Sequence, residues 1–390
     1  MTVEVISLGC RLNISESEEM RSFLAQSDKL VVINSCAVTS EAVRQTRQTI
    51  RRARRKHPDT RLLVTGCAAE VERDMLAAMP EVDGLISNKS KLDARSWNVS
   101  PATSRPQAQY SRAFVQVQNG CDHACTFCII PRGRGESRSQ EIPAVLADVA
   151  RHIEAGVNEV VLTGVDLTSW GEDLPGSPRI GHLVSAILDA FPKLQRLRLS
   201  SIDGAEIDET LFELLAFEPR MMPHVHLSLQ SGDDMILKRM KRRHTRADAI
   251  GLVAALREHR PDLGLGADII AGFPTEDEAM HANNVSIVHE LGIVHGHVFP
   301  YSARPDTPAA RMPAVDPGLV KRRAAMVRDA VAYQRRNWLA AMVGKSIRVL
   351  AERDGTGHAE NFAPVRLPEG VEPGRIVDIT PTRVIEGRLA

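Results

Sequence analysis

The sequence lacks a net charge: 49 Lys and Arg are matched by 49 Asp and Glu. No global field drives such a chain onto nucleic acid or membrane, so a polyanionic partner has to be met by local patches. The sequence also lacks any apolar run near the roughly 18 to 20 residues that span a bilayer. Its start, MTVEVISLGC, has neither the basic nor the apolar region of a secretion signal. The expectation is a soluble cytoplasmic protein with no membrane partner. At 390 residues and 43% hydrophobic, the chain is long enough for two or three domains, each with its own core.

Cysteine is scarce as well, and its distribution carries the chemistry. The six are Cys10, Cys36, Cys67, Cys121, Cys125 and Cys128. In a reducing compartment, metal or catalytic use is expected rather than disulfides. The stretch GCDHACTFC (120–128) sets three of them in a C-x-x-x-C-x-x-C pattern with no nearby fourth. Zinc fits poorly, because structural zinc takes four closed ligands. A cubane iron–sulfur cluster has four irons, so three thiolates leave one iron free for an external ligand. Such an iron suits S-adenosylmethionine (SAM), which takes one electron and breaks a carbon–sulfur bond to give a carbon-centred radical. FVQVQNGCDHACTFCIIPRGRG (114–135) resembles the signature loop of the radical SAM superfamily, and the resemblance places Phe127 beside the cofactor. His123 is read as a solvent-facing loop residue, because a nitrogen ligand would block the open iron.

Residues 1–97 alternate β-rich and helical runs, a small doubly wound parallel α/β pattern. Cys10, Cys36 and Cys67 each follow one of its first three strands. Parallel strands end along one edge, so three thiols far apart in sequence are brought to one crevice, and a second three-cysteine cluster is inferred. Asn13 and Asn34 sit beside these cysteines, either orienting backbone or substrate or serving ordinary turn chemistry. Residues 98–112, rich in Ser and Pro, read as a linker.

From 113 to 343 the strand–helix rhythm resumes. Strands are expected at 114–118, 158–164, 195–200, 224–229, 263–270 and 294–299, an incomplete (β/α)6 parallel barrel. Chemistry is expected at the carboxyl ends of these strands, at TGVD (163–166), SSID (200–203), LSLQSG (227–232) and AGFPTE (271–276). Resemblance to radical SAM barrels implies that Gly164 and Asp166 meet the methionyl amino group. The same resemblance puts Ser200, Ser201 and Gln230 on the sugar and carboxylate side.

The tail, 344–390, has short alternating runs punctuated by Gly and Pro, the pattern of a small β-barrel. HAENFAPVRLP and GRIVDITPTRVIEGRL resemble the TRAM domain, an OB-like transfer-RNA-binding module, and Arg348, Arg366, Arg375, Arg383 and Arg388 fit phosphate contacts. Two basic runs, 44–56 and 238–246, are either solvated faces or further contacts to the anticodon stem-loop.

This three-part arrangement resembles the methylthiotransferase family over essentially the whole chain. The resemblance implies two [4Fe-4S] clusters, each on three cysteines: one makes the radical that abstracts hydrogen, and the other holds the sulfur delivered as a methylthio group. It also implies an electron donor such as flavodoxin or ferredoxin, and leaves the sulfur donor unknown. GCRLNISESEEM, NSCAVTSEAVRQTR and HVFPYSARPDTPAA are similar to the branch that acts on threonylcarbamoyladenosine at position 37 of tRNA. The sequence departs from that branch at PRGRG (131–135) and at Asp306, where glycine is common. Rival readings are methylthiolation of isopentenyladenosine, methylthiolation of an aspartate on a ribosomal protein, and a non-catalytic iron–sulfur RNA-binding redox sensor.

Overall fold

Apolar runs separated by amphipathic helices build the first layer of the computed structural model, which describes residues 3–25, 27, 29–99 and 111–390. β1 (Val3–Ser7), β2 (Leu30–Ser35), β3 (Arg61–Gly66) and the short β4 (Gly84–Leu85) lie parallel in that order. β2 is buried along its whole length, so LVVINS reads as a continuous rather than an alternating pattern. α1 (Arg11–Leu24), α2 (Ser40–Lys56), α3 (Cys67–Val71) and α4 (Arg73–Ala77) pack around the sheet. Thr39 caps α2 by accepting from Ala42 N at 3.1 Å, and Val43, Ile50 and Ala53 turn inward from it. Of the stretch read as a linker, residues 100–110 lie outside the described residues.

The second layer opens with β5 (Ala113–Gln116) and the antiparallel pair β6 (Gln118–Asn119) and β7 (Arg138–Ser139), which brackets α5 (Ile130–Arg134). The series continues through α6 (Ile142–Glu154), β8 (Glu159–Thr163), α7 (Ile180–Ala190), β9 (Arg196–Leu199), α8 (Glu209–Phe217) and β10 (His224–Gln230). It closes with α9 (Asp234–Met240), α10 (Arg246–His259), β11 (Gly264–Ala271), α11 (Glu278–Glu290), β12 (His295–Pro300) and α12 (Pro317–Ala340). The six expected strands are present, as two parallel sheets, β5-β8-β9 and β10-β11-β12. Among the described residues the isolated bridges Leu197–Met221 and Ile202–Leu227 are the backbone pairings that link them. The break has a local cause: β9 ends at Leu199, and Pro223, which has no N–H to give a ladder, precedes β10.

Alternation along these strands is inverted relative to a soluble sheet. Leu197 and Leu199 face the helices and join the main apolar core, whereas Arg196 and Arg198 are buried on the other side of the strand. They meet Glu159 of β8: its carboxylate is 2.9 Å from Arg198 Nε and 3.1 Å from Arg112 Nε, with Arg196 at 3.6 Å. Burial alone would raise the Glu159 pKa, but the guanidinium charges, that of Arg198 foremost, hold it at about 2.

This charged end of the barrel is covered by the tail. β13 (Ile347–Ala351), β14 (Thr356–Ala359), β15 (Pro364–Arg366), β16 (Ile376–Ile379), β17 (Val384–Ile385) and β18 (Arg388–Leu389) form a sheet ordered β16-β13-β14-β15-β18-β17. The turn between β14 and β15 enters the barrel at the amino ends of its strands. Arg198 donates to the carbonyls of Glu360 (2.7 Å) and Ala359 (3.0 Å), and Arg196 to that of Arg348 (2.9 Å). The ring of Phe362 lies under Arg11, Arg112 and Arg198, at 5.7, 5.3 and 5.2 Å. HAENF, quoted above for its likeness to an RNA-binding module, is thus largely an internal contact.

Replacing Glu159 by Ala would leave the buried Arg196 and Arg198 without a carboxylate, while Arg112 keeps Glu352 at 2.5 Å. The expected cost is about 3–5 kcal/mol, seen as a lower denaturant midpoint. A midpoint equal to that of the parent would contradict this account of the barrel floor.

Candidate functional site

The β6–β7 pair clamps the base of the loop that carries Cys121, Cys125 and Cys128. Cys121 N donates to Gly135 O (3.1 Å), and Cys128 Sγ accepts from Ile130 N (3.4 Å). Gln118 ties the loop to the end of β8: its Nε2 donates to Gly120 O (2.8 Å) and its Oε1 accepts from the backbone N–H groups of Val165 and Asp166 (both 2.9 Å). The other set sits where the first sheet ends. Cys10 is the N-cap of α1, Cys36 directly follows β2, and Cys67 directly follows β3.

All six cysteines line a single cavity of about 340 Å³. The two sets touch through Gly133 of α5, where an added Cβ would stand 3.2 Å from Cys67 Cβ, a tight contact that the bare glycine relieves. Of the residues expected beside the cofactor, Phe127, Gly164, Asp166, Ser201 and Gln230 also line this cavity. Ser200 does not: it is buried at the end of β9, and its carbonyl accepts from Arg11 Nη1 at 3.0 Å.

A buried ionic network holds the two sets in place. Arg134, at the end of α5, donates to Glu16 of α1 (2.8 and 3.1 Å), to Asn13 Oδ1 (2.6 Å) and to Asn119 Oδ1 (2.9 Å). From the other side Lys91 Nζ donates to Glu16 (2.6 Å) and to Asn34 Oδ1 (3.1 Å). Asn34 donates to Asn13 O (3.0 Å), and Asn13 to Ser35 O (3.0 Å) and Leu8 O (2.6 Å). Asn13 therefore orients the backbone at Leu8 and Ser35, close to Cys10 and Cys36, and Asn34 holds the backbone of Asn13 in turn. Burial works against ionising Glu16, but Lys91 and Arg134 overcome it and hold its pKa at about 2.

His123 is not a solvent-facing residue, as the sequence reading expected. Its Nε2 is 2.6 Å from Asp166 Oδ2 and 3.6 Å from Glu206 Oε1, and hydrogen bonds to those carboxylates push its pKa up to about 10. The same Nε2 is 2.7 Å from Arg243 Nη2, so this nitrogen is engaged by protein groups on more than one side. Asp166 Oδ2 also accepts from Ser169 Oγ (3.0 Å) and lies 3.6 Å from Cys121 Sγ.

The basic run 238–246 is a second correction, since most of its arginines serve internal contacts. Arg242 Nη1 points at Cys125 Sγ (3.8 Å), while its Nη2 donates to Asp203 Oδ2 (2.7 Å) and Ser228 O (2.8 Å). Arg243 pairs with Glu206, Arg246 with Glu290, and Arg239 donates to Thr275 O (3.3 Å). A guanidinium beside the Cys125 sulfur was hidden in what read as a charge run. The sign of it in sequence is Met240, the last residue of the apolar face of α9, after which Lys241 ends the helix with φ +57°. In the other run, Arg44, Arg54 and Lys56 pair with Glu41, Asp83 and Glu4, while Arg52 and Arg55 are exposed and form no salt bridge among the described residues.

The two departures from the family pattern meet each other. Asp306 has φ +64°, a conformation glycine adopts freely, and its Oδ2 accepts from Arg132 of the PRGRG stretch at 2.7 Å. Both side chains are exposed, so the pair orients the loop more than it stabilises it.

The thiols suit an iron–sulfur core. None of the six is in a disulfide. Burial, reinforced by neighbouring thiols, pushes Cys36 and Cys128 up to about 11. Thiols so placed stay protonated unless a cationic centre binds them as thiolates, which is what an iron–sulfur cluster provides. Cys121, Cys125 and Cys128 would hold one such core, and Cys10, Cys36 and Cys67 offer the same donor set for another.

Comparison with known proteins is consistent with this chemistry. The pattern of the radical SAM superfamily matches residues 115–283, and that described as "Uncharacterized protein family UPF0004" matches residues 2–87. The chain is 45% identical, over 99% of its length and 96% of the relative's, to the threonylcarbamoyladenosine tRNA methylthiotransferase MtaB of Rickettsia prowazekii (strain Madrid E). It is 29% identical to a tRNA-2-methylthio-N(6)-dimethylallyladenosine synthase of Roseobacter denitrificans (strain ATCC 33942 / OCh 114), over 97% of this chain and 95% of that one. Among solved structures it is similar in fold to the radical S-adenosylmethionine methyltransferase TsrM from Kitasatospora setae, with TM-score 0.53 and 16% identity over 75% of this chain and 68% of that one.

Glu16→Gln should cost about 3 kcal/mol at neutral pH, the equivalent of lowering a pKa from 4.5 to about 2. Because the folded value lies below the unfolded one, this advantage of the parent is full above about pH 5. It is lost as the pH falls from 4.5 through about 2. Denaturant titrations of both proteins across that window check it; a gap independent of pH would contradict it.

Proposed function

The chain belongs to the radical SAM tRNA methylthiotransferases, and on that premise we propose that it replaces the C2 hydrogen of N6-threonylcarbamoyladenosine at position 37 of tRNA with a methylthio group. The single observation that carries the reading is one cavity lined by two separate sets of three cysteines. Hydrogen abstraction and sulfur delivery need two reactive centres facing one carbon, and each set leaves one iron of a cubane cluster open. Identity of 45% to a threonylcarbamoyladenosine enzyme, against 29% to a dimethylallyladenosine enzyme, favours the threonylcarbamoyl arm.

In this reading Cys121, Cys125 and Cys128 hold the [4Fe-4S] cluster that takes SAM, and Cys10, Cys36 and Cys67 hold a second. When bound, these groups supply one-electron cleavage of SAM and the sulfur that is delivered. The remaining work is done by the chain. Asp166, fixed by His123 and Ser169, offers a carboxylate to the methionyl ammonium next to Cys121. Ser201 and Gln230 add polar side chains to the lining of the same cavity, while Phe127 packs toward the edge of Phe273 at 6.4 Å between centroids. Val38, Ile129, Ile270 and Phe299 supply apolar wall, which keeps water from a radical generated there.

The tail is read as a TRAM-type module. Arg366, Arg383 and Arg388 are exposed and form no salt bridge among the described residues, so they are free for phosphate, as are Arg52 and Arg55 of α2. Arg348 and Arg375 are exposed as well but pair with Glu360 and Glu372. A low-potential electron carrier such as flavodoxin or ferredoxin completes the set of partners. Among the described residues no helix is long and apolar enough to cross a membrane.

Mass spectrometry of tRNA nucleosides from cells lacking the protein tests the substrate. The threonylcarbamoyl nucleoside should lose its methylthio group and accumulate unthiolated. Loss from the dimethylallyl nucleoside instead would move the enzyme to the other branch, and no change in either would point to the ribosomal-protein aspartate. In vitro, Cys36→Ala should still form 5′-deoxyadenosine while giving no methylthio product. Loss of both activities with the first cluster intact would contradict separate roles for the two sets.

A further inference from the structure

Asp268 has no role in the assignments above, yet it is part of the wall of the cavity that contains the six cysteines. It stands on β11 in register with His297 of β12, and His226 lies on the neighbouring β10. Its Oδ1 accepts hydrogen bonds from His226 Nε2 and His297 Nδ1, both at 3.0 Å. Its Oδ2 makes no hydrogen bond among the described residues. Gly266 makes this possible, because a Cβ there would stand 2.2 Å from His226 Nδ1; the bare backbone lets the imidazole lie across β11. A carboxylate offers about four acceptor positions. Here two imidazoles take one oxygen, lock the side chain, and aim the other oxygen at the cavity.

The position of Asp268 narrows what it meets. Gly164, Asp166, Ser201 and Gln230 come from the strand ends before β11, on the side of the cluster loop. Asp268 lines the cavity together with Phe299, Tyr301 and Ser302, and Ser302 is joined to the segment after Cys36 by accepting from Ser40 N at 3.0 Å. A fixed negative charge repels phosphate and carboxylate, so the group it receives is a hydrogen-bond donor rather than an anion.

Building on the proposed function, we propose that Asp268 is the anchor of a nucleoside subsite, its Oδ2 accepting a hydrogen bond from a hydroxyl or N–H group of a nucleoside in the cavity, with His226 and His297 as positioning residues. Two nucleosides share that chemistry, SAM and the tRNA nucleotide that is modified, and one variant distinguishes them. In Asp268→Asn the amide oxygen must stay toward the two imidazole N–H groups. The amide NH2 then faces the cavity, which reverses donor and acceptor without changing shape.

The experiment uses the full chain loaded with clusters, and measures the dissociation constants of SAM and of tRNA carrying unthiolated threonylcarbamoyladenosine. If the donor is on SAM, the variant weakens SAM by tenfold or more and leaves tRNA binding unchanged. If it is on the tRNA, SAM binding and its cleavage stay intact, while tRNA binding and product formation fall by a similar factor. Both constants within about twofold of the parent would overturn the proposal. So would one equivalent of a non-iron divalent metal that is lost in the variant, since these three side chains would then be ligands. Should Asp268→Asn not load its clusters, His297→Ala carries the test: this side chain is 57% exposed, so its removal does not threaten folding. It should weaken the same ligand by about threefold, and His297→Asn, whose amide N–H takes the place of Nδ1–H, should restore binding; failure of that rescue overturns the positioning role. Unchanged affinities in a protein whose parent still makes product would remove only this subsite and leave the proposed function standing.

Discussion

Glu16 receives Lys91 from one side and Arg134 from the other, and both cysteine sets are positioned by what is attached to those charges. Arg134 ends the loop of Cys121, Cys125 and Cys128, while Glu16 belongs to the helix that Cys10 caps. Asn13 and Asn34 extend the network to the backbone at Leu8 and Ser35, next to Cys10 and Cys36. A buried ionic cluster of this kind contributes little net stability compared with apolar packing, but breaking one member leaves charges with no partner. Its value here is geometric: it allows one registry between the first sheet and the barrel, with Gly133 against Cys67 as the contact that registry permits.

The barrel is polar at both ends for different reasons. At the amino ends of its strands Arg112, Arg196 and Arg198 share Glu159, Glu352 adds a second carboxylate at Arg112, and the Phe362 turn covers them, so that end is closed by the tail. At the carboxyl ends the charges are arranged around a cavity: Asp166 with His123, Asp203 with Arg242, Asp268 with His226 and His297. Each carboxylate there is oriented by a basic partner, which fixes polar atoms toward the interior without motion at the time of reaction.

Much of this was legible in the sequence because it rests on short-range signals. The strand runs, the C-x-x-x-C-x-x-C loop and the recurrence of cysteine after three strands are periodic or local, and the structure contains each of those strands. What escaped was long-range pairing. Glu16 and Arg134 are 118 positions apart, and no period links them to Lys91. The run 238–246 read as surface because composition does not tell which arginine turns inward after Met240. His123 read as exposed because its partners, Asp166 and Glu206, lie just beyond β8 and β9. Ser200 was grouped with Ser201 by adjacency, although neighbours at a strand end face opposite ways. Asp306 departed from the expected glycine, and its partner, Arg132, is the other departure.

The central claim is that one cavity holds two clusters, each on three cysteines. Iron and sulfide analysis of the anaerobically reconstituted chain, with and without Cys10, Cys36 and Cys67 replaced together by Ala, tests it most directly. The account predicts about eight irons and eight sulfides per chain in the parent and about four of each in the variant. About four in both proteins would contradict it and leave the strand-end cysteines without a cluster.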